Sequence, residues 1–116
     1  VEFHKAKQVV IVTEASILDD VITTVTKLGA VGYTIQNATG KAHRWGARLG
    51  NYPGGLFDNV RIDVITISEE LAKTIAVEIM KQFFKNHAGI VYLLDVEIIR
   101  KEKFAAGHEG SSCCYT

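Results

Sequence analysis

Thr39-Gly40-Lys41, followed by His43, Arg44 and Arg48, gathers three permanent positive charges, and no acidic residue follows before Asp58. Such a cluster suits an anion. Gly40 lets the backbone come close to an oxyanion, Lys41 supplies a compact charge, and Arg44 and Arg48 carry planar forks matched to phosphate or carboxylate. The motif is not a P-loop, which needs G-x-x-x-x-G-K-[ST] between a strand and a helix. Here more loop follows Gly40-Lys41. A solvated cationic surface loop is the plainer reading. No acid-base pair stands beside Lys41 in the pattern catalysis would need. His4, His43, His87 and His108 lack the i,i+4 or C-x-x-C spacing that converges on a metal, so no metal site is expected. The only cysteines, Cys113 and Cys114, are neighbours at the end of the chain and staple no core. They read as free thiols on a tail, with a redox or intersubunit role as the alternative.

Composition narrows the function classes. Thirteen basic residues balance thirteen acidic ones, so no global field recruits nucleic acid or an anionic membrane. The longest apolar runs, such as Val9 to Val12 and Ile90 to Leu94, fall far short of the roughly 20 residues that cross a bilayer. No secretory h-region follows the polar start. A cytoplasmic protein without direct membrane insertion is expected. At 116 residues the chain fits a single domain over 1–116.

The elements that must position the cationic cluster are legible in the apolar periodicity. Gln8 to Glu14 is a β-branched run short enough to be a strand. Ser16 offers an N-cap to a first helix, Asp19 and Asp20 suit its first turn, and Ile17, Leu18, Val21, Ile22, Val25 and Leu28 recur at helical spacing up to a Gly29 cap. Gly32 to Asn37 reads as a second strand, and Asn37 to Asn59 as a long Gly-rich loop, of a length that is uncommon unless functional or disordered. Asn59 to Ile67 alternates Val60, Ile62, Val64 and Thr66 against Arg61, Asp63, Ile65 and Ile67. Ser68 caps a second helix in which Leu71, Ile75, Ile79 and Phe83 repeat, with Ala72, Ala76 and Met80 alongside. Ile90 to Ile99 forms the last strand, and a polar tail follows from Arg100.

The order β, α, β, long loop, β, α, β is the α+β, ferredoxin-like βαββαβ arrangement, an antiparallel sheet with two helices on one face. The other face is then uncovered within one copy. Ile65, Ile67, Val91 and Leu93 are too apolar for none to land there, so association of subunits is expected. An RNA-binding ferredoxin-like sheet would need exposed aromatics on its central strands. Asn59 to Ile67 has none, so no nucleic-acid partner is expected.

Several separated segments resemble the PII-like signalling proteins linked to inorganic-carbon uptake. Val9-Val-Ile-Val-Thr-Glu14, Gly29-Ala-Val-Gly-Tyr-Thr34, Thr39-Gly-Lys41 with Arg44, and Phe84 with Ala88-Gly-Ile-Val-Tyr92 are similar to that family's strand 1, helix 1 exit, T-loop base and B-loop, in order. The resemblance spans nearly the whole chain through Ile99 and covers both the bicarbonate-transporter-associated and the carboxysome-associated kinds.

It implies a homotrimer binding adenine nucleotide (AMP, ADP, ATP or cyclic AMP, cAMP) in clefts between subunits. The T-loop, about residues 40–58, would be the effector arm, and 101–116 a flexible tail. It further implies bicarbonate beside the nucleotide in carboxysome-associated members, leaves Mg2+ open, and points to a membrane bicarbonate transporter or carboxysome-related protein as partner. Gly40, Lys41 and Arg44 match the phosphate-facing T-loop base, with Thr39 before them. Ala88, Gly89 and Ile90 match the B-loop. His87 either ends the second helix or contacts nucleotide, and Arg100 is either a solvated exit from the sheet or a phosphate contact from a neighbouring subunit. Arg48 lies one position further from Arg44 than the family's second loop arginine. In the tail, Ala106 and Ser111 flank Gly107-His-Glu-Gly110 where transporter-associated members often have cysteines. A regulatory, non-catalytic sensor follows, with weak nucleotide phosphohydrolysis on the same scaffold as the alternative.

Overall fold

The computed structural model describes residues 1–41 and 56–99. The chain runs β1 (His4–Glu14), a 3-10 turn (Ala15–Ile17), α1 (Leu18–Leu28), β2 (Thr34–Lys41), β3 (Leu56–Thr66), α2 (Glu69–Phe83) and β4 (Gly89–Ile98). The strands form one antiparallel sheet in the order β2-β3-β1-β4, the expected ferredoxin-like βαββαβ arrangement. Alternate residues of the two central strands, Val9 and Ile11 on β1 and Val60, Ile62 and Val64 on β3, meet Val21 and Val25 of α1 and Ile75 and Ile79 of α2 in one buried cluster. Each fully buried aliphatic side chain there contributes about 1.5–3 kcal/mol. That layer holds the helices on a single face.

Local chemistry sets the helix ends. Gly29 adopts φ 116°, a left-handed conformation that closes α1, and its N–H donates to Thr26 O at 3.1 Å. The Ser68 hydroxyl accepts from Leu71 N at 3.0 Å and starts α2. Ser16 does not cap α1 as its type suggested. A 3-10 turn intervenes, Ile17 takes the capping position without a side-chain bond, and the Ser16 hydroxyl donates instead to Glu14 Oε1 at 3.3 Å. In α2 the Leu71, Ile75, Ile79 and Phe83 stripe packs on the core as expected, but Met80 is exposed.

β2 and β3 run further than their sequence suggests. Asn37 to Lys41 pair with Val60 to Leu56, so the expected Asn37–Asn59 loop, and the T-loop span 40–58, begin and end as a β ladder. Asn and Gly have low strand propensity, but each hydrogen-bonded pair satisfies backbone groups whatever the side chain. The connection between the strands shrinks to 42–55.

The open face carries Ile90, Tyr92 and Leu94, which are 41, 38 and 42% exposed, in register with Val12, Val10 and Gln8. Ile65, opposite Gln8, shares that face. Val91 and Leu93, expected as candidates for it, pack instead on the helix-covered core, and Ile67 lies beyond the end of β3. Strand period is two, so β4 presents the complementary set once its register is known. Beside this strip, Gln8 Nε2 and Arg61 Nε both donate to Asp63 Oδ1, at 3.2 and 3.1 Å.

Candidate functional site

The register gathers the strand ends that matter at one end of the sheet. Thr39, Gly40 and Lys41 sit opposite Asp58, Phe57 and Leu56, and Gly89 sits opposite Thr13 at the start of β4. Asn59 lies between them, opposite Ala38 on one side and Glu14 on the other. Because β2 and β4 are opposite edges, three strand spacings, roughly 15 Å, separate the two groups.

Between α2 and β4 the chain must reverse within a few residues. The N–H groups of Asn86 and His87 donate to Phe83 O at 3.3 and 3.0 Å, which finishes the helix. The peptide groups of Ala88 are then held by the end of β1. Thr13 Oγ1 donates to Ala88 O at 2.8 Å, and Ala88 N donates to Glu14 Oε2 at 2.8 Å. His87 Nδ1 lies 3.5 Å from the same carboxylate oxygen. Thr13 and Ala88 are buried, so leaving one of these groups unpaired costs about 1–3 kcal/mol. Gly89 is required by space rather than by φ. A Cβ there would stand 2.4 Å from the Phe84 ring and 2.9 Å from Val12 O. The turn is therefore a rigid, backbone-lined feature with little side-chain bulk. Asn59 is buried as well, and its Oδ1 has no partner among the described residues.

The opposite end of the sheet carries a cleft of about 540 Å³ lined by Lys5, Lys7, Glu69, Asp95 and Glu97. Lys7 pairs with Asp95 and Lys73 with Glu69. The Asp95 hydrogen bond raises the Lys7 pKa, the same bond lowers that of Asp95, and Lys73 lowers that of Glu69. Six residues of β1, roughly 20 Å, separate Lys7 from Thr13. That cleft is remote from the turn, and three of its five charged groups are already paired.

A family model described as nitrogen regulatory protein P-II matches residues 6–103. The chain belongs to the P-II family. A PII-like signalling protein from Thermus thermophilus is 34% identical, with a TM-score of 0.72 over 90% of this chain and 99% of its own. The structure of CPII from Thiomonas intermedia bound to ADP and bicarbonate is 25% identical, with a TM-score of 0.67 over 84% of this chain and 92% of its own. CPII bound to ADP, AMP and acetate shares the fold at 23% identity and a TM-score of 0.72, over 90% of this chain and 99% of its own. Proteins of the P-II family are regulatory, form trimers and bind adenine nucleotides. This PII-like chain has, among its described residues, no helix long and apolar enough to cross a membrane.

Of the P-II residues expected at the site, Thr39, Gly40 and Lys41 end β2 and His87, Ala88, Gly89 and Ile90 form the turn and the start of β4. Arg44, Arg48 and Arg100, with the tail cysteines, lie outside the described residues. The backbone N–H of His87 closes the turn that follows α2, and its side chain lies beside Glu14. Glu14 was not singled out from sequence as a site residue. As the last residue of a strand it carries no spacing signal, and its partners are distant in the chain.

Proposed function

We propose that this P-II family chain is a regulator of energy or inorganic-carbon status that binds an adenine nucleotide between three copies of itself. Thr39, Gly40, Lys41, Arg44 and Arg48 form the anion-facing base of the T-loop, and His87, Ala88, Gly89 and Ile90 form the second wall. Arg100 comes from a neighbouring copy. The observation that carries this reading is the Ala88 turn, fixed by Thr13 and Glu14 at the same end of the sheet as Thr39 to Lys41. It is supported by the ADP and bicarbonate bound in CPII. The two groups stand on opposite edges of one sheet, which suits a ligand seated where copies meet. The uncovered Ile90, Tyr92 and Leu94 supply an apolar face for association.

The mechanism is differential affinity. Nucleotide, with bicarbonate beside it, favours one arrangement of the T-loop, and a partner such as a membrane bicarbonate transporter or a carboxysome component prefers one arrangement over the other. Linkage then requires the partner to change nucleotide affinity by the same factor. Calorimetric titration of the purified chain with AMP, cAMP, ADP and ATP, each with and without bicarbonate, tests the reading. Binding of none of them overturns it. Lys41→Ala and Arg44→Ala are expected to weaken ADP by roughly tenfold or more each, as lost charge-assisted bonds, and adenosine far less.

A further inference from the structure

We infer that Glu14 is a positioning residue for the nucleotide-facing turn, holding the Ala88 peptide in place through its carboxylate. The inference rests on the function proposed above and deepens it. Glu14 ends β1, and both of its oxygens are engaged. Oε1 accepts from Ser16 Oγ at 3.3 Å, at the entry to α1. Oε2 accepts from Ala88 N at 2.8 Å and lies 3.5 Å from His87 Nδ1, at the exit from α2. One side chain thus ties together the two helix-strand connections at this end of the molecule. Ala88 is buried, so its N–H must have an acceptor, and Thr13 already takes the carbonyl side of the same residue. With the His87–Ala88 peptide held by Glu14 and the Ala88–Gly89 peptide held by Thr13, the direction of the backbone entering Gly89 and Ile90 is set before any ligand arrives.

The charge on Glu14 is not required for this role, and it is unfavourable beside a turn that faces an anion. Hydrogen bonding and charge therefore separate experimentally. Glu14→Gln keeps an oxygen for the Ala88 N–H and removes the negative charge, whereas Glu14→Ala removes both. A residue serving stability alone would alter unfolding without ordering nucleotide affinity in this way.

The experiment is ADP titration by calorimetry on full-length wild type, Glu14→Gln and Glu14→Ala, with amide hydrogen exchange read at Ala88 and at Val10 and Ile62 in the sheet. Glu14→Ala is expected to weaken ADP by roughly 10- to 100-fold, the cost of leaving one buried N–H without an acceptor, and to speed exchange at Ala88 while leaving Val10 and Ile62 unchanged. Glu14→Gln is expected to bind ADP within about threefold of wild type or more tightly. Equal ADP affinity in wild type and Glu14→Ala overturns the inference while leaving the proposed function standing. Equal losses in Glu14→Gln and Glu14→Ala also overturn it. A wild-type chain that binds no adenine nucleotide overturns the functional reading itself, and with it this assignment of Glu14.

Discussion

Replacing Gly89 by alanine adds one methyl group where the structure has no room for it. The new Cβ would lie 2.4 Å from Cε1 and Cζ of Phe84 and 2.9 Å from Val12 O. Ordinary contacts of this kind begin near 3.4 Å. The ring would have to retreat by about 1 Å, yet Phe84 packs against the main buried cluster and cannot swing freely into solvent. The Val12 carbonyl belongs to a central strand bonded on both sides and yields less. Overpacking of this type costs about 1–3 kcal/mol. In a domain of this size each kcal/mol lowers the melting temperature by roughly 4 °C, so a fall of about 4–12 °C is expected. The assay is thermal and urea unfolding followed by circular dichroism, with wild type and variant at one protein concentration because association shifts apparent stability. The midpoint should fall with an unchanged denaturant slope. Phe84→Leu removes the clashing ring atoms, so Gly89→Ala should cost less in that background, by about 1 kcal/mol of coupling. A Gly89→Ala midpoint equal to that of wild type would refute the packing argument. An additive double mutant would shift the blame from Phe84 to Val12 O.

Ser68→Ala removes the acceptor for Leu71 N and should destabilise the protein by about 1 kcal/mol in the same unfolding assay; no change would mean that α2 needs no cap there. Leu94→Asp places a charge on the uncovered sheet face, so the light-scattering mass should fall toward that of one chain with helical circular dichroism preserved. An unchanged mass would remove that face from any interface. Lys7 holds Asp95 below its ordinary pKa, so the carboxyl titration followed by NMR should move upward in Lys7→Ala. The folded state thus holds its protons on Asp95 less tightly than the unfolded chain. The small stabilisation is present above the ordinary aspartate value and lost as pH falls through the folded value. For Lys7, whose pKa is raised by the same bond, it is full below the ordinary lysine value and lost as pH rises through the folded one.

Sequence alone determined which residues are apolar and how often they recur, and that was enough for the β, α, β, β, α, β order. The alternation from Val60 to Thr66, the Ile75 and Ile79 spacing, the Gly29 stop and the Ser68 cap are local signals, each decided within a few residues by backbone geometry. The cationic run from Lys41 to Arg48 was likewise legible as charge density, whereas Ala88-Gly89 stood out only through the family resemblance. Tertiary structure decided what depends on partners far along the chain. Asn37 to Lys41 became strand because β3 offered a ladder, not because their side chains favour it. Val91 and Leu93 faced the helices, and Ile90, Tyr92 and Leu94 the open side, only once β4 took its register on β1. Glu14 gained its part from a hydrogen bond spanning 74 residues. Periodicity reports which faces differ; only pairing in three dimensions says what each face and each strand end will meet.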